Sequence, residues 1–353
     1  MFFTKFKRPL LIEILFAFYL FLKLVFDYYI YGGLDSEYFK SYSMIIVLFM
    51  ACSVLYRSNY KPSILALNFF LWLNFIHCFF LILQFISFNI FDNFFLLNPF
   101  GYFSTFGPDP LSDIPGPYNP MMQTIHRPNG LCWEPSVAAI WSIIYCSLSL
   151  TFIKKNRFCY LHLFVGFMSL LFIQSFLGLV YCLLIFTYIP YSIFKIKRSL
   201  KVVIFVLLLL LVSVLLYFQQ DYISARLYEI FNPKTSGFLR VIAPLILLSQ
   251  SVTILGAEPI GAKSFQELSE FASSGQNVHS GIANTYLEVL YFFGITGFVF
   301  LVFLLRRVKI TFNKQAVIRY SIFYILLFGG WIFNSIILFT LIIFYLFAYK
   351  IKI

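Results

Sequence analysis

Nine long apolar runs divide this chain, and their repetition excludes a soluble fold before any motif is considered. A helix needs about 20 residues to cross the hydrocarbon core of a bilayer. The runs fall at 10–31, 41–56, 63–88, 135–153, 158–175, 177–194, 202–218, 284–305 and 320–349. The last can hold one tilted helix or two short ones, so about ten transmembrane helices are expected. With 61% hydrophobic and 11% charged residues among 353, the sequence predicts an all-α polytopic membrane protein, a single membrane domain over 1–353. Lys5, Lys7 and Arg8 precede the first run, but Glu13, Lys23 and Asp27 lie within it and no small-residue cleavage site follows. That pattern predicts a retained first span and not a signal peptide.

Charge orders the connections. Basic residues collect around 5–8, 57–61, 154–157, 195–201, 306–319 and 350–352, which together hold 19 of the 26 lysines and arginines and none of the 14 acidic residues. By the positive-inside rule these segments are cytoplasmic and so are both termini. The net charge of +12 is then a record of topology and calls for no nucleic-acid partner. Two long connections, 89–134 and 219–283, fall on the extracytoplasmic side. The first carries half of the 14 prolines, which predicts a fixed irregular loop, and loops this long tend to be functional. The second contains an apolar stretch, Val241 to Gly256, interrupted by Pro244. It is too short and broken for a span and reads as interfacial or re-entrant.

Within the runs, a charge costs roughly 2.5–3.5 kcal/mol on insertion scales and usually faces the bundle interior. Lys23 and Asp27 are four apart and pair on one helical face. Asn74, His77 and Gln84 share one face of the third span and read as a helix-packing stripe. Five of the six cysteines (Cys52, Cys78, Cys146, Cys159 and Cys182) sit in or beside apolar runs, with Cys132 in an outer loop. That distribution predicts free thiols and argues against a disulfide framework or a zinc site.

Two motifs carry the chemistry. His126-Arg-Pro-Asn-Gly-Leu-Cys-Trp-Glu-Pro-Ser136 ends the first outer loop, and Pro135 suits the first turn of the helix that follows. Glu134 therefore sits at a helix N-terminus, with Arg127 seven residues upstream, an arrangement that suits a phosphate group. The plainer alternative is an interfacial cap with a headgroup-binding arginine. His279-Ser-Gly-Ile-Ala-Asn284-Thr-Tyr-Leu-Glu288 opens a later inward-running span, with Asn284 and Glu288 stacked one turn apart. Both motifs start helices on the same outer side. Helix dipoles there, with Arg127, Arg226 and Arg240, would serve an anionic lipid-linked substrate.

At these residues the chain resembles the bacterial O-antigen polymerase (Wzy) and O-antigen ligase group. The likeness rests on Arg127 to Ser136, on Ser236-Gly-Phe-Leu-Arg240 ahead of the stretch ending in Gly256, and on Asn284 to Glu288 followed by Gly294 and Gly297. The family places a histidine directly before the asparagine, whereas His279 precedes Asn284 by five residues. The resemblance implies a GT-C-like membrane glycosyltransferase of the bacterial cytoplasmic (inner) membrane. It would transfer a glycan from undecaprenyl diphosphate to an acceptor sugar hydroxyl at the outer face, polymerising repeat units into O-antigen or capsular polysaccharide. Donor and acceptor are then undecaprenyl-diphosphate-linked glycans, with a flippase and a chain-length regulator as further partners and no cofactor. No Asp-x-Asp or His/Asp cluster offers a metal site in the outer loops, so Arg127, Arg240 and Arg226 are expected to neutralise the leaving diphosphate in a metal-independent reaction. Glu134 or His279 would act as base on the acceptor hydroxyl, with Asn284 and Glu288 orienting.

An O-antigen ligase would use the same donor. A flippase should instead carry its charges along a pathway through the spans, and a membrane O-acyltransferase would rest on the His126-Arg127 pair alone. The charge pattern itself is testable. Single cysteines introduced near Pro115 and Gly275 should react with an impermeant reagent added to the outside, while those near Lys155 and Arg307 should react only after the membrane is opened. Outside labelling at Lys155 would overturn the shared outer face.

Overall fold

The computed structural model is helical throughout its described residues, with no strand among them. Those residues are 11–30, 62–89, 128, 130–132, 135–152, 158–173, 177–182, 253–256, 285–312, 315–328 and 342–350, with single residues and pairs besides. They form α1 (Leu11–Ile30), α2 (Ile64–Asn89), α3 (Pro135–Phe152), α4 (Phe158–Phe172), α5 (Thr285–Thr311) and α6 (Ala316–Phe328), followed by a π-helical segment, Phe344–Lys350. α1 to α5 match five of the expected runs closely, α6 overlaps the first part of a sixth, 320–349, and α3 begins at Pro135 as its sequence predicts. Most of the expected spans 202–218 and 41–56 and the second half of 177–194 lie outside the described residues. By length and composition Ile64–Ser87 and Thr285–Thr311 can each cross a membrane, and α3, α4 and α6 supply shorter apolar helices.

The helices are inside out relative to a soluble protein. On α1 the exposed residues are apolar, Phe18, Phe21, Leu22 and Val25 among them, whereas Lys23 and Asp27 are 3% and 0% exposed. On α2, Phe69, Trp72, Ile76, Phe79 and Leu83 face outward while Asn74, His77 and Gln84 are buried. On α5, Ile295, Val299, Val302 and Phe303 face outward and Glu288 is fully buried. In water such surfaces would form contiguous apolar patches. In hydrocarbon they are the natural outer face, and the polar groups find partners within the bundle.

The chain divides into two compact units, one of Met1–Phe70, Leu150–Asn156 and Phe238–Ile353 and one of Leu71–Ser149 and Arg157–Gly237. In the first, α1 packs on α5. Tyr19, Leu20, Tyr42, Val289, Tyr291, Phe292, Phe293 and Leu301 form a buried cluster, with Phe16 and Tyr19 set against Phe300 at ring separations of 5.0 and 5.6 Å. The i,i+4 pair on α1 forms as expected: the Lys23 ammonium donates to Asp27. The Tyr42 hydroxyl donates to the other Asp27 oxygen at 2.6 Å, a partner the pair's spacing could not disclose. Farther along, Gln315 Nε2 donates to Ala348 O at 2.5 Å, tying the start of α6 to the π-helical segment.

The run expected as one continuous span at 284–305 is broken. At Gly294 the backbone leaves the helical region, with φ 63° and ψ −162°. Without a partner the amides that begin the second half-helix would be orphans, and each unsatisfied group in hydrocarbon costs several kcal/mol. The described end of the 241–256 stretch meets them. Ile295 N–H donates to Thr253 O and Thr296 N–H to Ile254 O, both at 3.2 Å, and Thr296 Oγ1 adds a bond to Ile254 O at 3.0 Å. On the other side of the break, Tyr19 Oη donates to Phe293 O at 2.5 Å. The contact is backbone on backbone. A Cβ at Gly256 (φ 102°) would lie 2.0 Å from Phe292 O, and one at Gly294 would lie 2.4 Å from Thr253 O. Gly294 is nine residues into α5, so the end of the 241–256 stretch meets the helix about 13 Å from its start at the helical rise.

This seat predicts a selective sensitivity. Gly256→Ala and Gly294→Ala each impose positive-φ backbone strain of roughly 1–3 kcal/mol and force the docked backbones apart. Each variant should therefore accumulate severalfold less in membranes and melt earlier in detergent. Quantitative blotting and a thermal scan check this, and unchanged values for both would mean that the seat is dispensable.

Candidate functional site

The first motif leaves the loop through a short turn that is anchored from α2. Pro128 and Gly130 are buried, and Gly130 has φ 62°, a conformation that L side chains rarely adopt. Gln84 grips its backbone from both sides: Gly130 N–H donates to Gln84 Oε1 at 2.8 Å, and Gln84 Nε2 donates to Gly130 O at 3.4 Å. The next amide, Leu131 N–H, donates to His77 Nδ1 at 3.2 Å. Gly130 also lies flat on the imidazole, since a Cβ there would be 2.5 Å from His77 Cε1 and 3.0 Å from Leu81 Cγ. Because Nδ1 accepts, the neutral ring carries its proton on Nε2. That second nitrogen is buried and has no hydrogen-bond partner among the described residues.

The sequence groups His77 and Gln84 with Asn74 as a helix-packing stripe. Instead, two of the three hold a loop. The available signal was Gly130 itself, because a lone glycine between a Pro/Asn turn and an apolar residue marks a special φ or a close backbone approach.

The turn feeds α3, which is buried on nearly every side from Val137 to Leu150, only Trp141 being partly open. α3 is thus the central helix of the second unit. A stripe of hydroxyls and thiols joins it to its neighbours. Tyr145 Oη lies 2.6 Å from His162 Nδ1 of α4, and Ser147 Oγ lies 2.6 Å from Tyr181 Oη. Ser142 Oγ meets Ser169 Oγ at 3.2 Å and Cys78 Sγ at 3.6 Å. Gly166 lets α4 approach closely, as a Cβ there would sit 2.7 Å from Cys146 Sγ, the small-residue packing typical of membrane helices. On α2, Trp72 and Phe75 set their rings against His162 at 4.8 and 5.7 Å, and Phe85 stacks on Phe172 at 4.5 Å.

Of the residues expected in the site, Arg127, Glu134, Arg226, Arg240, His279 and Asn284 lie outside the described residues. Glu288 is described. It lies in the first turn of α5 and is fully buried, a setting suited to holding a neighbour in place more than to exchanging protons with bulk water. Among the described residues no cluster of three or more His, Cys, Asp or Glu could hold a metal ion. The five described cysteines are free. Burial, with nearby Cys78 acting in the same direction, pushes the Cys132 thiol up to about 12. This thiol in the motif is therefore no ready nucleophile at neutral pH.

No curated protein and no solved structure matches the chain significantly. The family model for the WcaD colanic acid polymerase matches residues 2–351, nearly the whole chain. A membrane bundle of this kind, built on lipid-linked oligosaccharide substrates, is what such an enzyme requires, and the ligase and flippase alternatives are not favoured. The chain belongs to the WcaD colanic acid polymerase family, Wzy-type glycosyltransferases of the inner membrane that polymerise repeat units into exopolysaccharide.

Proposed function

We propose that the chain extends an undecaprenyl-diphosphate-linked glycan at the outer face of the membrane, as one polytopic domain with both termini cytoplasmic. The observation that carries this reading is the anchored turn at Gly130–Leu131 directly before the helix that starts at Pro135. A rigid turn next to a helix N-terminus is a natural anion site, and Arg127 is three residues upstream of Gly130. Arg127, Arg240 and Arg226 take the charge that develops on the leaving diphosphate, without a metal ion. Planar guanidinium forks match phosphate oxygens bidentately, which lysine does not. Glu134 or His279 accepts the proton of the attacking sugar hydroxyl, and Asn284 and Glu288 orient the groups around it. A flippase supplies the repeat units and a chain-length regulator ends the product.

Expected outcomes separate these roles. Arg127→Ala should abolish polymerisation in a protein that is still inserted and abundant. Arg127→Lys keeps the charge but loses a charge-assisted bond of roughly 1.5–3 kcal/mol, a rate loss of about ten- to a hundredfold. Gel analysis of surface glycan should then show scarce long chains and persistent short ones. Wild-type chain lengths from the lysine variant at equal abundance would reduce Arg127 to a headgroup anchor. Glu288→Gln preserves hydrogen-bonding shape and should retain much of the activity, while Glu134→Gln should be the more damaging if Glu134 is the base. Complete loss in Glu288→Gln at normal abundance would contradict the orienting role. Deletion of the gene should leave single lipid-attached repeat units, whereas loss of a ligase would leave long unattached chains.

A further inference from the structure

The geometry points to His77 and Gln84 as positioning residues for polymerisation, which act by fixing the backbone on which Arg127 and Glu134 are mounted. This rests on the assignment of Arg127 and Glu134 to the site. Three observations carry it. Gln84 holds both the N–H and the C=O of Gly130, and His77 holds the next N–H in line. The three bonds therefore fix two consecutive peptide units from a single helix face. Arg127 precedes Gly130 by three residues and Glu134 follows Leu131 by three. At about 3.5 Å per residue, neither Cα can lie more than roughly 11 Å from the clamp. Finally, His77 is 7% exposed and its Nε2–H has no partner among the described residues. An unsatisfied buried donor is unfavourable. A leucine would fill the space without that penalty, so packing alone does not explain a histidine here. Nδ1 as an acceptor for Leu131 N–H does.

Displacing a binding or catalytic group by about 1 Å can lower a rate on the order of a hundredfold, so a released turn should be felt in the chemistry. His77→Leu and Gln84→Met remove the two halves of the clamp with little change in volume. Each should lower long-chain output about tenfold or more in membranes that hold wild-type amounts of the protein. His77→Asn should recover most of the loss, because asparagine Oδ1 can occupy the position of Nδ1 and accept from Leu131. A role confined to folding would show no such recovery at matched abundance.

The decisive measurement is a double-mutant cycle in full-length protein, with lipid-linked repeat units as substrate. If His77 acts through the residues it positions, the loss from His77→Leu should be clearly less than multiplicative with Arg127→Lys or with Glu134→Gln. Multiplicative losses would overturn the inference, as would His77→Asn behaving like His77→Leu. Should His77→Leu fail to accumulate, Gln84→Met in the same cycle decides by the same criterion. The two readings fail differently. Wild-type activity in Arg127→Ala would sink the diphosphate assignment itself, whereas a damaged Arg127→Lys with multiplicative His77 and Gln84 effects would sink only the clamp.

Discussion

Inside hydrocarbon no water competes for a peptide group, so a chain that leaves the helical ladder must meet every freed N–H and C=O with protein. This constraint explains why two irregular points among the described residues are tightly held. At Gly294 a helix is interrupted and the carbonyls of Thr253 and Ile254 receive the exposed amides, while Tyr19 covers a carbonyl on the other side. At Gly130 a loop turns into a helix, and Gln84 and His77 receive its backbone. Glycine is required at both places because the partners approach to distances that no Cβ tolerates. Neither junction is looseness. Each is backbone polarity placed where only a specific neighbour can satisfy it.

Such junctions suit a reaction that needs little covalent help from the protein. In the proposed reaction a diphosphate would leave and a hydroxyl attack, so most of the work would be to hold two large substrates and to stabilise charge as it develops. Side chains on a wandering loop would do this poorly. A turn fixed by three hydrogen bonds at the start of a helix buried along most of its length would do it at small expense in chain length. The hydroxyl and thiol stripe along α3, from Ser142 through Tyr145 to Ser147, extends that rigidity down the helix. Polar contacts of this type hold membrane helices together where the hydrophobic effect cannot.

What could be read in advance follows a simple division. Features set by nearest neighbours along one helix were legible. Pro135 announced a helix start, and the Lys23–Asp27 spacing announced a pair on one face. Features set by distant chain segments were not. Gln84 and Gly130 are 46 residues apart, and Tyr19 and Phe293 are 274 apart. Nothing in a helical period says what the polar face of α2 will grip. The break at Gly294 was hidden for another reason: glycine is frequent in membrane helices, so its presence gives no hint that the helix stops. The expected site residues themselves, apart from Glu288, fall outside the described residues, and their roles rest on motif chemistry and on the turn between them.

The Tyr19–Phe293 bond also bears on how the protein is made. α1 leaves the ribosome well before α5, on which it packs, because some 250 residues separate them, more than ten seconds of synthesis at about 5–20 residues per second. For that interval α1 lacks its contact with α5, although Tyr42, which bonds Asp27, follows only 15 residues later. Internal pairing makes the wait tolerable, since the ammonium and the carboxylate cancel each other within one helical turn. The same pair that looks like a packing detail in the finished bundle is thus a provision for an unfinished one. A chain that stalls before α5 would hold α1 with its charges already paired and the aromatic face of Phe16 and Tyr19 still uncovered.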